Sequence, residues 1–524
     1  MSETTAREAA KRRTFAIISH PDAGKTTLTE HLLLKGGAIH LAGEVKAKGE
    51  RRRARSDWMK IEQERGISVT TAVMTFQYEG NTFNLLDTPG HEDFSEDTYR
   101  TLTAADSAVM VIDAAKGIEA QTLKLFEVCR LRDIPIVTFV NKMDREARDP
   151  METLDEIADK LQLETTPLMW PVGMGQNFRG VAHLETDSFL PFAKQGEHGA
   201  PVPLSGNSLS ALLSEEELAK MNEDLDFVRG VCTPFNLESY REGHQTPVFF
   251  GSALKDFSVE QVLRAIGAYA PPPKALKADK RMVEPEEDKV SGFVFKVQAN
   301  MDPNHRDRVA FMRMVSGHFK RGMKLKPSGS GKVMSIHNPV LFFASDREIV
   351  DEAWPGDVMG IPNHGTLRVG DTLTEGEDIV FTGIPNFAPE IIRRVRLADP
   401  LKAKHLQRAL ESLAEEGVTQ VFKPQLGSQW FVGVVGQLQL DVLAQRIKQE
   451  YGLDVAFESG LFETARWVKA DDEADLQKFM DAHKGNMAED RDGAPVFLAK
   501  SVWELNYSAG KYPAVKFTAT KERG

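Results

Sequence analysis

Hydrophobic positions along this chain change their spacing several times, and each change predicts a different element. Residues 14–19 (TFAIIS) form an apolar run that predicts a buried strand, and Lys25 to about Lys35 predicts a helix. Residues 36–66 are Gly-rich and then strongly charged, with Arg51, Arg52, Arg53 and Arg55, which predicts a mobile loop. Alternation in VTTAVMTFQY (69–78) and TFNLLD (82–87), around Glu79-Gly80-Asn81, predicts a β-hairpin. The near-continuous apolar runs AVMVIDAA (108–115), IPIVTFVNKMD (134–144) and PVFFGSA (247–253) predict buried parallel strands joined by helices. The segment 151–240, with its acidic helical stretch SEEELAKMNEDL, is expected as an insertion into this α/β domain.

The pattern then turns. Pro271-Pro272-Pro273 and a charged stretch to Lys289 read as a linker. From 290 to about 380 come short strands punctuated by glycine (SGFVFKVQAN, RVAFMRMVSG, KRGMKLK, DVMGIP), which predict a small β-barrel. From about 386, IIRRVRLAD and WFVGVVG read as strands, LKAKHLQRALESLAEEG and LQLDVLAQRIKQEYG as helices, and VFLAKSVWELNY as a further strand-like run. The expected organisation is a multidomain chain: an α/β domain over 1–275, a β-barrel over 285–383 and an α+β domain over 386–524.

Composition narrows the classes. A chain of 524 residues, 41% hydrophobic and 27% charged, suits several packed domains. The formal net charge of -12 argues against indiscriminate coating of nucleic acid, so no DNA partner is expected. Cys129 and Cys232 are far apart and suit a reduced, cytoplasmic setting without a disulfide framework. The apolar run at 15–18 is too short for a signal peptide, and no apolar stretch suggests a membrane span. Nothing in the pattern points to an oligomer, and a monomer is expected.

Chemistry enters at the loop after the first strand. Ser19, His20, Pro21, Asp22, Ala23, Gly24, Lys25 and Thr26 spell a strand–loop–helix phosphate cradle of the type G-x-x-x-x-G-K-[ST], with Ser19 in place of the first glycine. Gly24 allows close backbone approach, Lys25 can reach β/γ-phosphates, and Thr26 can ligate Mg²⁺. Alone, Gly-Lys-Thr would equally suit a Thr-capped helix with a solvated lysine. A second element, Asp87-Thr88-Pro89-Gly90, closes the hairpin strand. There Asp87 can hold Mg²⁺ through water, and the Gly90 N–H can sense a γ-phosphate and carry a loop with it. Alone, it would be an ordinary turn.

The third element, Asn141-Lys142-Met143-Asp144, ends an apolar strand. Asp144 can accept from the N1–H and N2–H₂ edge of guanine, Asn141 can tie its loop to the cradle, and the Lys142 stem can lie along the ring. The fourth, Ser252-Ala253-Leu254, ends another strand, where the Ala253 N–H could meet the guanine O6. Four elements in the required order, each at the C-terminal end of a strand, predict a nucleotide site. Adenine would present Asp144 with an acceptor. Two charge-assisted bonds of roughly 1.5–3 kcal/mol each predict a roughly 10²–10⁴-fold preference for GTP over ATP. Between cradle and hairpin, ERGISVTT offers a hydroxyl to Mg²⁺, with Ser68 as first candidate and Thr70 as alternative.

The set SHPDAGKT, RGIS, DTPGH, NKMD and GSAL resembles the ribosome-associated translational GTPases, and FAPEIIRRVRLADPLKAKHLQRALESLAEEG with VGVVGQLQLDVLAQRIKQEYGLDV resembles the third domain of elongation factor G and its relatives. Within that superfamily, LLDTPGHEDFSEDTYRTLTAADSAVMVIDAAKGIE and RDPMETLDEI resemble the branch that acts in peptide chain release. The resemblance implies a P-loop GTPase domain using GTP/GDP and Mg²⁺, with His91 positioning the attacking water. It also implies the ribosome as partner. The work implied is driving stop-codon-reading release factors off the ribosome after peptide release. Pro21, lacking an N–H, could face Ile67 across an apolar gate near His91.

Lys11-Arg12-Arg13, Arg51–Arg55 and Arg393-Arg394-Arg396 could meet RNA phosphates, or simply be solvated. The alternatives are a translational GTPase of elongation or ribosome-protection type and a GTP-binding assembly scaffold. The length, which leaves no room for the two further domains of elongation factor G, argues against the first. His91 and Thr26, which supply the groups for hydrolysis, argue against the second.

Overall fold

A computed structural model describes residues 3–38, 69–193, 198–205, 207–299, 308–328, 332–343, 346–363, 365–384 and 386–521. The loop expected at 36–66, with Arg51–Arg55, Ile67 and Ser68, lies outside these residues except at its first positions. A seven-stranded sheet runs in the order Ala72–Tyr78, Asn81–Asp87, Arg12–Ser19, Ser107–Asp113, Ile136–Asn141, Gln245–Phe250, Glu164–Pro167. All neighbours are parallel except the first pair, the expected hairpin. Its two-residue turn places Glu79 and Gly80 at φ 45 and 81, the mirror-image turn geometry that matches strand twist. The central strands are buried on both faces, with Phe15, Ile17, Val109, Val111, Phe139 and Phe249 in one core, as helices on either side of a parallel sheet require.

Two segments differ from the expectation. The first is 151–240, where Pro150–Leu161 and Glu164–Pro167 belong to the main α/β layer, because Glu164–Pro167 forms its edge strand beside Gln245–Phe250. What departs from that layer is a four-stranded antiparallel sheet over Met169–Val172, Gly180–His183, Ser188–Pro191 and Val202–Pro203, followed by the helix Glu215–Val231. The second is VFLAKSVWELNY, which splits into a strand, Pro495–Ala499, and a helix, Val502–Lys511. Ser501 causes the switch, since its hydroxyl accepts from the Glu504 N–H at 3.2 Å and caps the helix.

The stretch expected as a β-barrel is an eight-stranded antiparallel sheet whose described strands form a half-barrel. Its core is Val294, Met312, Met359, Ile361 and Leu373. The third domain lays the helices Ala403–Glu415, Gln437–Tyr451, Glu473–Ala482 and Val502–Lys511 on another eight-stranded sheet. The Lys11-Arg12-Arg13 run is not a free basic patch, because Arg12 and Arg13 are buried. Arg12 bonds Asp357 of the half-barrel at 3.1 Å, and Arg13 bonds the carbonyls of Gly267 and Ala10. With Arg313 on Asp106 at 2.5 Å and Thr14 Oγ1 on the Gly356 carbonyl at 2.6 Å, these contacts dock the half-barrel against the first domain.

Candidate functional site

The C-terminal ends of Arg12–Ser19, Asn81–Asp87, Ile136–Asn141 and Gln245–Phe250 open into one cavity of about 340 Å³. Ser19, His20, Pro21, Asp22, Gly24, Lys25, Thr26, Gly90, His91, Asn141, Lys142, Asp144 and Leu254 all line it. Residues 100 or more positions apart in the chain thus share one concave surface at the point where the strand order reverses. Thr27 and Arg145 also line it and had not been foreseen.

The loop after the first strand turns through two residues with positive φ, Asp22 at 64 and Gly24 at 98. At Gly24 a Cβ would run into the Asn141 side-chain amide, so glycine is required both by torsion and by space. The helix Lys25–Lys35 starts here with its N-terminus facing the cavity and no side-chain cap, leaving backbone N–H groups available to an anion. Lys25 Nζ lies 2.5 Å from Asp87 Oδ1. The other oxygen, Oδ2, is buried without a hydrogen-bond partner among the described residues, as are Ser19 Oγ and both ring nitrogens of His20. Burial holds the His20 imidazole below its ordinary value, with Glu119 pulling the other way.

Asn141 is a bracket. Its Nδ2 donates to the Ala23 carbonyl at 2.7 Å, and its Oδ1 accepts from the Lys142 and Ala253 N–H groups, each at 2.8 Å. The Ala253 N–H, expected to meet a guanine O6, is therefore engaged with Asn141, and Ala253 itself is fully buried. Lys142 Nζ donates to the Asp22 carbonyl at 2.5 Å and to Asp113 Oδ2 at 2.7 Å. Burial works against the charge on Asp113, yet Lys142 and the Ala115 N–H hold its carboxyl below the usual carboxylate range. Asp113 ends the strand Ser107–Asp113 within the run AVMVIDAA, and that place at a strand's C-terminal end was the signal that could have marked it.

The remaining expected residues lie behind the cavity surface. Thr88 Oγ1 donates to the Ile17 carbonyl at 2.7 Å, the Pro89 carbonyl accepts from Thr98, and the Met143 N–H donates to the Gly251 carbonyl at 3.0 Å. Ser252 is buried with its hydroxyl unbonded among the described residues. His91 caps the short helix Glu92–Phe94, its Nδ1 accepting from the Asp93 N–H at 3.2 Å. Thr70 is described and Ser68 is not. Among the described residues no cluster of three or more His, Cys, Asp or Glu could hold a metal, and no helix is long and apolar enough to cross a membrane. Cys129 is buried, which pushes its thiol up to about 12 and leaves it inert.

Comparison with known proteins places the three domains. Residues 10–272 match the elongation factor Tu GTP binding domain, residues 289–376 match elongation factor G domain 2, and residues 381–509 match the C-terminal domain of class II release factor RF3. Among solved structures, one from Thermus thermophilus is 23% identical with a TM-score of 0.70, covering 88% of this chain and 69% of that one, a likeness of fold. With the first of these models spanning half of its length, the chain belongs to the translational GTPases and carries the domain set of release factor 3.

Proposed function

We propose that this GTPase acts on the ribosome in translation termination, where GTP drives stop-codon-reading release factors off after the peptide has been freed. The observation that carries the reading is the joining of a GTP-binding domain to a third domain, at 381–509, of the class II release factor type. In this reading the cavity holds GTP or GDP. The helix N-terminus at Lys25 and the Lys25 ammonium face the phosphates, and Asp144 reads the guanine edge. Asn141 and Lys142 hold the base loop to the cradle through Ala23 and Asp22.

The residues fit a divalent cation, since Asp87 Oδ2 is buried without a partner among the described residues, behind Lys25, and Thr26 lines the cavity next to that lysine. Thr26 and Asp87, with Ser68, would hold Mg²⁺, which when bound neutralises charge on the β- and γ-phosphates. The Gly90 N–H senses the γ-phosphate, and His91 orients the attacking water. Intrinsic hydrolysis is slow, and ribosome contact accelerates it, as external partners do for other GTPases.

The test uses ribosomes stalled at a stop codon after peptide release, with a labelled stop-codon-reading factor bound. This protein is added with GTP, and departure of the label and release of phosphate are followed together. Faster departure that requires GTP supports the reading. Phosphate release with the label left in place sinks it and leaves a ribosome-activated GTPase with another task.

A further inference from the structure

Asp93 of the first domain caps a helix of the third. Its Oδ2 accepts from the Leu438 N–H at 2.6 Å, at the start of the helix Gln437–Tyr451. That helix has no side-chain cap of its own, because the residue before it is Gly436. Gly436 has φ -141 and ψ 167, extended torsions open to any residue. Space is what excludes a side chain there, since a Cβ would fall on the Asp93 carboxylate.

The same aspartate holds His91. The Asp93 N–H donates to His91 Nδ1 at 3.2 Å, and Asp93 Oδ1 lies 3.4 Å from that nitrogen. Both contacts fall on one edge of the ring and fix its orientation. Next to it, Phe94 packs with Val69 and with Val442 and Leu438 of the third-domain helix. One carboxylate and one phenylalanine thus tie the His91 segment to the third domain at two neighbouring points.

We propose that Asp93 is a positioning residue for hydrolysis: anchored by the helix Gln437–Tyr451, it fixes the ring of His91, so that His91 is set for water only while the third domain is docked. This rests on the reading of His91 as the group that orients water. An acidic residue near a helix N-terminus suits the dipole, and the Asp93 carboxylate supplies that from another domain.

The experiment measures kcat and KM for GTP with ribosomes present, using the full chain and its variants. Gly436→Ala changes no residue of the first domain, and displaces only the carboxylate it meets. Gly436→Ala and Asp93→Ala are each expected to lower kcat about tenfold, with KM for GTP within about twofold, because misplacing a reacting group costs rate more than binding. The double variant is expected to be no slower than the slower single variant, since both break one contact. Asp93→Asn keeps an oxygen for the Leu438 N–H and is expected to recover to within about threefold of the parent.

A Gly436→Ala protein that turns over at the parent rate overturns the proposal, as do effects that multiply in the double variant. Should Gly436→Ala fail to fold, the pair Asp93→Ala and Asp93→Asn decides: equal defects in both overturn it. His91→Ala is measured alongside. If it hydrolyses GTP at the parent rate, the reading of His91 fails, whatever the cap variants do.

Discussion

Lys25, in the cavity wall, pairs with Asp87 buried behind it, Nζ to Oδ1 at 2.5 Å, with side chains 7% and 1% exposed. Each satisfies the charge of the other in a place water scarcely reaches. Removing the lysine therefore does two things. Lys25→Ala strands a buried carboxylate, at a cost of about 3 kcal/mol in stability, and it takes away the cation proposed to meet the phosphates. Urea unfolding with and without excess GDP measures both. The expected outcome is a lower midpoint without GDP and no rise when GDP is added. A variant that GDP still stabilises as it does the parent would show that Lys25 does not face the phosphates.

Asp144 lines the cavity beside Lys142 and Leu254. Its two oxygens both accept, and guanine offers two donors on one edge. Asp144→Asn replaces one acceptor by a donor, so GTP affinity is expected to fall by roughly 10²–10⁴. Xanthine, with an N1–H and a carbonyl at position 2, matches the new pair. Competition of GTP and XTP against a fluorescent GDP analogue reads the switch. An unchanged GTP:XTP ratio would remove Asp144 from base recognition.

Most of this site could be read in advance because its chemistry sits where strands end. The runs TFAIIS, AVMVIDAA and IPIVTFVN announce a parallel sheet, and in such sheets the ligand lies at the carboxyl ends. What the sequence did not show are the side chains that bind one loop to another. Asn141 spends both ends of its amide on Ala23, Lys142 and Ala253, and the pairings with Ala23 and Ala253 cross more than 100 residues, which no local pattern encodes. The same limit applies to Arg12, whose partner Asp357 lies in the half-barrel. A run of basic residues looks alike whether water or a carboxylate faces it. The edge strand Glu164–Pro167 was hidden for a different reason: it has four residues, only Thr166 and Pro167 of them buried, too short for a period of two to stand out.

Two glycines in the cavity wall make opposite predictions. At Gly24 φ is 98 and a Cβ would meet the Asn141 amide, so Gly24→Ala is expected to distort the cradle and lower both nucleotide affinity and melting temperature. At Gly90 a Cβ would have only ordinary contacts, the nearest at 3.8 Å to the Ser19 and His20 carbonyls. Gly90→Ala is therefore expected to melt with the parent. If its N–H follows the γ-phosphate by a torsional change that only glycine makes freely, the variant is expected to lose about tenfold in GTP affinity while keeping GDP affinity. Calorimetric titration with GDP and with a non-hydrolysable GTP analogue tests both, and equal losses for the two nucleotides would refute γ-phosphate sensing.

His20 gives the site a pH dependence whose sign is fixed by its burial. The ring is closed off from solvent, and burial holds its pKa below the ordinary 6.5. Glu119, 4.0 Å from Nε2, and Asp113 act the other way, while Lys116 and Lys142 add to the depression. Below pH 6.5 the unfolded chain takes up a proton that the folded ring refuses. Stability is thus full above that pH and falls as pH drops through it, by at most about 1.4 kcal/mol per pH unit for one proton. His183, also depressed by burial, contributes a slope of the same sign, so the parent alone cannot isolate His20. His20→Asn removes one of these two depressed rings. Urea unfolding free energies at pH 5, 6 and 7 are expected to fall less steeply with acid in the variant than in the parent. Parallel lines would mean that His20 titrates in the folded protein as it does in the unfolded chain, and that the wall behind the cradle is open to water.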